Sequence, residues 1–245
     1  MKRAVLIFLL FELVLFASGQ VHDDYNKRLY QSYVNDQMPL WKGIISEMTL
    51  AYETNHEWGL LYDLCFAYYG YIGYLISQEN EKAAKNELDV AMRKTEELEK
   101  AFNGRHDVLA LQGAMLGYRI ILSKFTSMYL GPRAKKYIYT AYESSDNCFN
   151  CNIEMGNMMF YTPKFLGGSK TEAVQHYEKA VKILETSQLK ADHNWIYMNT
   201  VLLLANAYEE TGHQEPACSL YSQLLEYEPA ADWIRDDLYS KCKSK

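Results

Sequence analysis

Proline and cysteine occur five times each in 245 residues, and glycine only 13 times. So little proline and glycine excludes collagen-like and linker-like classes. Five cysteines leave at least one thiol unpaired within the chain. No Asn-x-Ser/Thr sequon occurs, and no segment alternates in the strand period. Excess positive charge is lacking too. The formal charge is −6, which gives nucleic acid little to bind.

Signatures of catalysis are also missing. His56-Glu57 is followed by Leu60 where a zinc-protease helix needs its second histidine, the six histidines show no i, i+4 pair, and no Gly-x-Ser-x-Gly elbow occurs. Glu53 and Glu57 have the i, i+4 spacing that would place them on one helix face, where a solvated pair is the simpler reading than an acid/base pair. No metal set or cofactor motif emerges, and the expectation is a non-enzyme without a cofactor.

What is present begins with residues 1–19, which have the three parts of a secretory signal. Lys2 and Arg3 precede the apolar run Ala4–Phe16, broken only by Glu12, and Ala17-Ser18-Gly19 offers a cleavage site. The run is shorter than the about 20 residues of a spanning helix. The expectation is export to the periplasm or beyond, with no membrane span after signal removal. Without Lys2, Arg3 and Glu12 the balance is 23 basic against 30 acidic residues.

Export permits disulfides. Cys148 and Cys151 form a CxxC at a helix start, where the helix dipole favours thiolate. No thioredoxin-like strand and helix pattern surrounds them, so a structural pair is preferred to a thiol oxidoreductase. Cys218 and Cys242 meet if the last helix folds back on its neighbour, and Cys65 lies in an apolar helical run.

Internal repetition organises residues 20–245 as one all-α domain. Val201, Leu204, Ala205, Tyr208, Gly212, Ala217, Tyr221, Leu224 and Pro229 fall at the spacing of a tetratricopeptide unit. Small Ala205 and Ala217 let two helix backbones approach, and Pro229 stops the second helix. The signature recurs from Ala84, Ala134 and Ala173, at spacings of 50, 39 and 44 residues up to Ala217. The family's period is about 34, so the units are stretched. On these residues the chain resembles tetratricopeptide proteins. That implies an α-α solenoid of about four irregular pairs (56–102, 106–144, 148–188, 193–227), with N-terminal helices and a capping helix at 230–242.

One stretch, FYTPKFLGGSKTEA (160–173), has two readings. Its glycines and Lys170-Thr171 suggest a phosphate loop, yet Ser169 separates glycine from lysine and Lys164 stands where the first glycine belongs. A helix junction explains more: Ser169 and Glu172 form a capping box, each bonding the other's amide. The step from Gly156 to Ala173 takes 17 positions against 12 from Ala205 to Ala217, so TPKFLGGS is an insertion in the turn. With Gly131-Pro132, this run resembles exported tetratricopeptide-like proteins of Bacteroidetes type and, more weakly, the T-component helical proteins of TRAP transporters.

The resemblance places ligand contacts on the concave face of the first helices. There the register puts Tyr69, Arg119, Asn157, Asn199, Asn206 and Glu209, along with Phe66, Leu116, Ser123 and Phe160. Paired amides at Asn157 and Asn206 suit the backbone of an extended peptide, and Arg119 a carboxylate. The leading expectation is a protein-binding or scaffolding module of the cell envelope, with a small-molecule carrier as the alternative.

Overall fold

The structure is a computed structural model that describes residues 24–145 and 147–242. The secretory-signal expectation therefore lies outside the described residues. All regular elements within them are helical: α1 (24–34), α2 (Trp41–Asn55), α3 (Trp58–Ser77), α4 (Glu81–Ala101), α5 (His106–Leu122), α6 (Ser127–Ser144), α7 (Phe149–Tyr161), α8 (Lys170–Glu185), the single turn α9 (Gln188–Ala191), α10 (Trp195–Glu210) and α11 (Gln214–Tyr227). The pairs α3/α4, α5/α6, α7/α8 and α10/α11 each pack as a hairpin and stack on their neighbours. This is an all-α solenoid of tetratricopeptide type.

The second helices obey a simple rule. α4 is charged on most faces and buries one strip, Ala84, Leu88, Ala91, Thr95 and Leu98, at 3.6-residue spacing. Asn80 caps its start by accepting from the Ala83 amide at 3.3 Å. First helices differ: α3 and α7 are buried on nearly every face. Close approach explains the small residues within them. A Cβ on Gly156 would lie 2.5 Å from the Tyr177 ring, and one on Gly70 2.6 Å from Trp41 and 2.9 Å from Trp195.

The 160–173 stretch is a helix junction, and one detail differs from the capping-box expectation. Ser169 Oγ accepts from the Glu172 amide at 3.2 Å, but the Ser169 amide donates to the Met159 carbonyl at 2.9 Å. That bond occupies the donor the glutamate carboxylate was expected to take. Gly167 ends a 3-10 turn at φ 95°, and a Cβ on Gly168 would sit 1.7 Å from the Thr162 carbonyl oxygen. Both glycines are thus demanded by backbone geometry. Within the expected pair 106–144, α5 stops at Leu122 and α6 starts at Ser127 with Pro132 inside its second turn. The expected capping helix at 230–242 is a π turn (Ile234–Leu238) followed by a 3-10 turn (Tyr239–Cys242).

The array closes on itself. Trp41 of α2 meets Trp195 of α10 edge to face at 5.1 Å. α1 spans the gap: Asn26 donates to Asp63 of α3 at 3.1 Å, Tyr30 donates to Glu228 beyond α11 at 2.7 Å, and Trp233 donates to the Val34 carbonyl at 3.1 Å. α1 and the segment after α11 are thus joined by hydrogen bonds between residues nearly 200 positions apart.

Candidate functional site

Closure changes what the first helices present. Tyr69 of α3 is only 7% exposed, and its hydroxyl accepts from the Asn157 amide of α7 at 3.1 Å. Asn157 Oδ1 accepts in turn from Tyr177 of α8 at 2.8 Å, and its amide also reaches Glu154 at 3.3 Å. Tyr118 of α5 stacks on Tyr69 at 5.4 Å and donates to the Tyr69 carbonyl at 3.1 Å. Phe66 packs near Phe149 at 6.2 Å, extending the α3 to α7 contact. Tyr69 and Asn157 are engaged inside the protein, where their polar groups satisfy one another.

The network holds a buried acid that the sequence reading missed. Glu154 is 3% exposed, and burial raises its carboxyl to about 7, against smaller lowering effects of hydrogen bonds from Tyr69 and Asn157. Burial likewise pushes the phenols of Tyr69, Tyr118 and Tyr177 well above their ordinary range, helped by the Glu154 charge. Flanked by Ile153 and Met155, Glu154 has no spacing signal that separates it from a surface glutamate.

Arg119 is also occupied. Its guanidinium pairs with Asp89 on α4 and lies 3.2 Å from the Met92 sulfur. It therefore points toward the second-helix layer, where its charge is already matched. Phe66 and Leu116 are buried, Ser123 precedes the short turn Lys124–Thr126 without a side-chain capping bond, and Phe160 is half-buried.

α10 keeps an open face. Asn199, Leu202, Leu203, Asn206 and Glu209 recur at i, i+3, i+4, i+7 and i+10, and these positions are half-buried or exposed while Val201, Leu204, Ala205 and Ala207 pack inward. Two apolar side chains thus sit between two amides and a carboxylate. The stripe continues across the chain: Lys170 of α8 pairs with Glu210 and lies over the Phe160 ring at 5.1 Å. Glu209 is held from behind by the Gln214 amide at 3.4 Å.

A cavity of about 110 Å³ lies between α1, α3, α7 and α10, walled by Tyr62, Phe66, Phe149 and Trp195 with Asn26 and Asn194 at its edge. Cys148 is joined to Cys151 and Cys218 to Cys242, while Cys65 is free and buried, its thiol pushed up to about 12 by burial. Both sulfurs of the CxxC are buried, and Cys148 caps α7 by accepting from the Cys151 amide at 3.1 Å. Among the described residues there is no group of three or more His, Cys, Asp or Glu placed to hold a metal, and no helix long and apolar enough to cross a membrane.

No protein-family model matches the sequence, and no curated protein does. Solved structures do match. The HusA haemophore from Porphyromonas gingivalis is similar with a TM-score of 0.58 at 14% identity, over 76% of this chain and 94% of that one. A thermophilic TPR protein of Thermus thermophilus, TTC0263, is similar with a TM-score of 0.57 at 13% identity, over 89% and 96%. At these identities the likeness is one of fold, and the fold is the tetratricopeptide-like helical array.

Proposed function

We propose that this chain is a non-catalytic binding module of the cell envelope that takes a protein segment along the open face of α10. The observation that carries the reading is the partly open face of α10, where the expected contact residues Asn199, Asn206 and Glu209 stand in line with Leu202 and Leu203 between them. Amides two helical turns apart suit the backbone donors and acceptors of an extended or helical segment, and the leucines suit its apolar anchors. Export rests on the signal-like start of the chain and fits its two disulfides. An Asn199→Ala, Asn206→Ala variant is expected to lose the envelope protein that copurifies with the wild type, at unchanged thermal stability. An unchanged partner set would defeat the α10 assignment.

A second reading, a carrier of a flat apolar ligand, draws on the aromatic cavity and on the fold shared with a haemophore. The cavity is smaller than the roughly 150 Å³ site that holds benzene in an engineered core. A porphyrin therefore requires α1 to move. Absorbance titration with haemin decides it: a saturable shift weakened by Trp195→Ala supports the carrier, and a linear, unshifted titration removes it.

A further inference from the structure

The turns joining first to second helices carry apolar side chains that packing does not use. Phe125 is 95% exposed and Phe165 85%, with Met128, Tyr129 and Leu166 exposed beside them. Phe125 sits on the turn between α5 and α6, and Phe165 and Leu166 on the turn between α7 and α8. Because α6 runs back between them, α5 and α7 are parallel and both turns lie on one edge. α5 and α7 pack directly against each other. Helices in contact lie about 10 Å apart, so the two tips form one patch.

Charge marks the same patch. From Val108 to Tyr142 the chain has no Asp or Glu, and from Met155 to Thr171 it has none, in a protein with 31 acidic residues. Lys124 and Lys164 stand exposed at the two tips, and Arg133, Lys135 and Lys136 are exposed further along α6. The outer turns on this edge are different. Glu79 and Glu81 flank the turn between α3 and α4, and Glu210 and Glu215 the one between α10 and α11. Of the four turns that join first to second helices, only the two middle ones combine protruding apolar side chains with an exposed lysine at the tip.

We infer that this edge docks the protein on an anionic lipid surface. Separate knobs on single 3-10 turns enter a fluid interface without needing a shaped partner. Phenylalanine, methionine, tyrosine and leucine settle at the headgroup boundary, and lysine stems lie along apolar surface while their ammonium groups stay at the phosphates. An exposed apolar patch of this kind marks an interaction surface, and its charge selects an anionic one. The inference stands independently of the α10 reading, since it uses other residues.

The test is hydrogen exchange of the full chain with phosphatidylcholine vesicles, with and without phosphatidylglycerol, wild type beside Lys124→Glu, Lys164→Glu and Phe125→Ser, Phe165→Ser variants. Segments 123–130 and 162–168 are expected to gain protection only with the anionic vesicles. Protection is lost at high salt, and half-maximal protection needs about tenfold more lipid in the charge variant. All four side chains are exposed, so the variants keep the wild-type fold. The inference is overturned if these segments stay unprotected on phosphatidylglycerol, if the variants are protected like the wild type, or if raising protein concentration without lipid protects them. The last result would identify a second copy of the chain as the occupant.

Discussion

The hydroxyl of Tyr69 accepts a hydrogen bond from the side-chain amide of Asn157 at 3.1 Å, joining the first helix of the first pair to the first helix of the third. In an open array these residues would face a groove; here they hold the groove shut. Asn157 sits between two phenols, donating to Tyr69 and accepting from Tyr177. Asn157→Ala leaves both hydroxyls buried with a bond missing, at a cost of about 2–3 kcal/mol. Urea unfolding measures it, and Tyr69→Phe, which removes one hydroxyl together with its need, is expected to cost less.

Burial raises the Glu154 carboxyl from its ordinary 4.5 to about 7. The folded state therefore binds this proton more tightly than the unfolded state does. The resulting stabilisation is full below about pH 4.5 and is lost as pH rises to about 7, since the carboxylate must then be buried charged. At about 1.4 kcal/mol per tenfold, the effect is about 3 kcal/mol. Glu154→Gln is expected to flatten the fall in stability between pH 5 and about 8, and to exceed the wild type at the alkaline end. Denaturation midpoints across that range check it.

Gly70 is where the closure is tightest. A Cβ there would meet the rings of Trp41 and Trp195, and indole rings in a packed junction do not yield as a flexible chain end does. Gly70→Ala is expected to cost about 1–3 kcal/mol although alanine favours helices. Thermal unfolding of the variant reads this directly, and a stabilised variant would mean that the junction is looser than described.

Much of this architecture was legible in the sequence because helix faces leave a period. The strip from Ala84 to Leu98 and the unit from Val201 to Pro229 place their helices within a few residues of where they lie. Closure was not legible. A period says that a face is apolar without saying what covers it, and the α1 contacts to Glu228 and Trp233 join residues at opposite ends of the chain. For the same reason Tyr69 and Asn157 fit a groove register although they are inward, and Arg119 gave no hint that Asp89, 30 positions earlier, holds it. Of the expected contact residues, Asn199, Asn206 and Glu209 lie along the open face of α10. The exposed turn edge had a readable signal that periodicity does not capture: apolar residues beside lysines at Lys124-Phe125 and Lys164-Phe165, within acid-free stretches.

The two disulfides differ in what they restrain. Cys218 and Cys242 close a loop 24 positions long and tie the last turns to α11, whereas Cys148 and Cys151 are three positions apart. Loop-closure entropy gives about 3 kcal/mol for the first. Cys218→Ser, Cys242→Ser is expected to lower the urea midpoint clearly under oxidising conditions. Cys148→Ser, Cys151→Ser is expected to retain partner binding, and loss of function in that variant with an intact fold would revive the thiol reading.

A protein segment lying along α10 is within reach of photo-crosslinking, with p-benzoylphenylalanine placed at Asn206 and, in a second protein, at Lys182 on the exposed side of α8. Irradiation in the producing cells is expected to give a discrete protein adduct from position 206 and none from 182. An adduct at 182 with none at 206, or no adduct at either, would contradict the account.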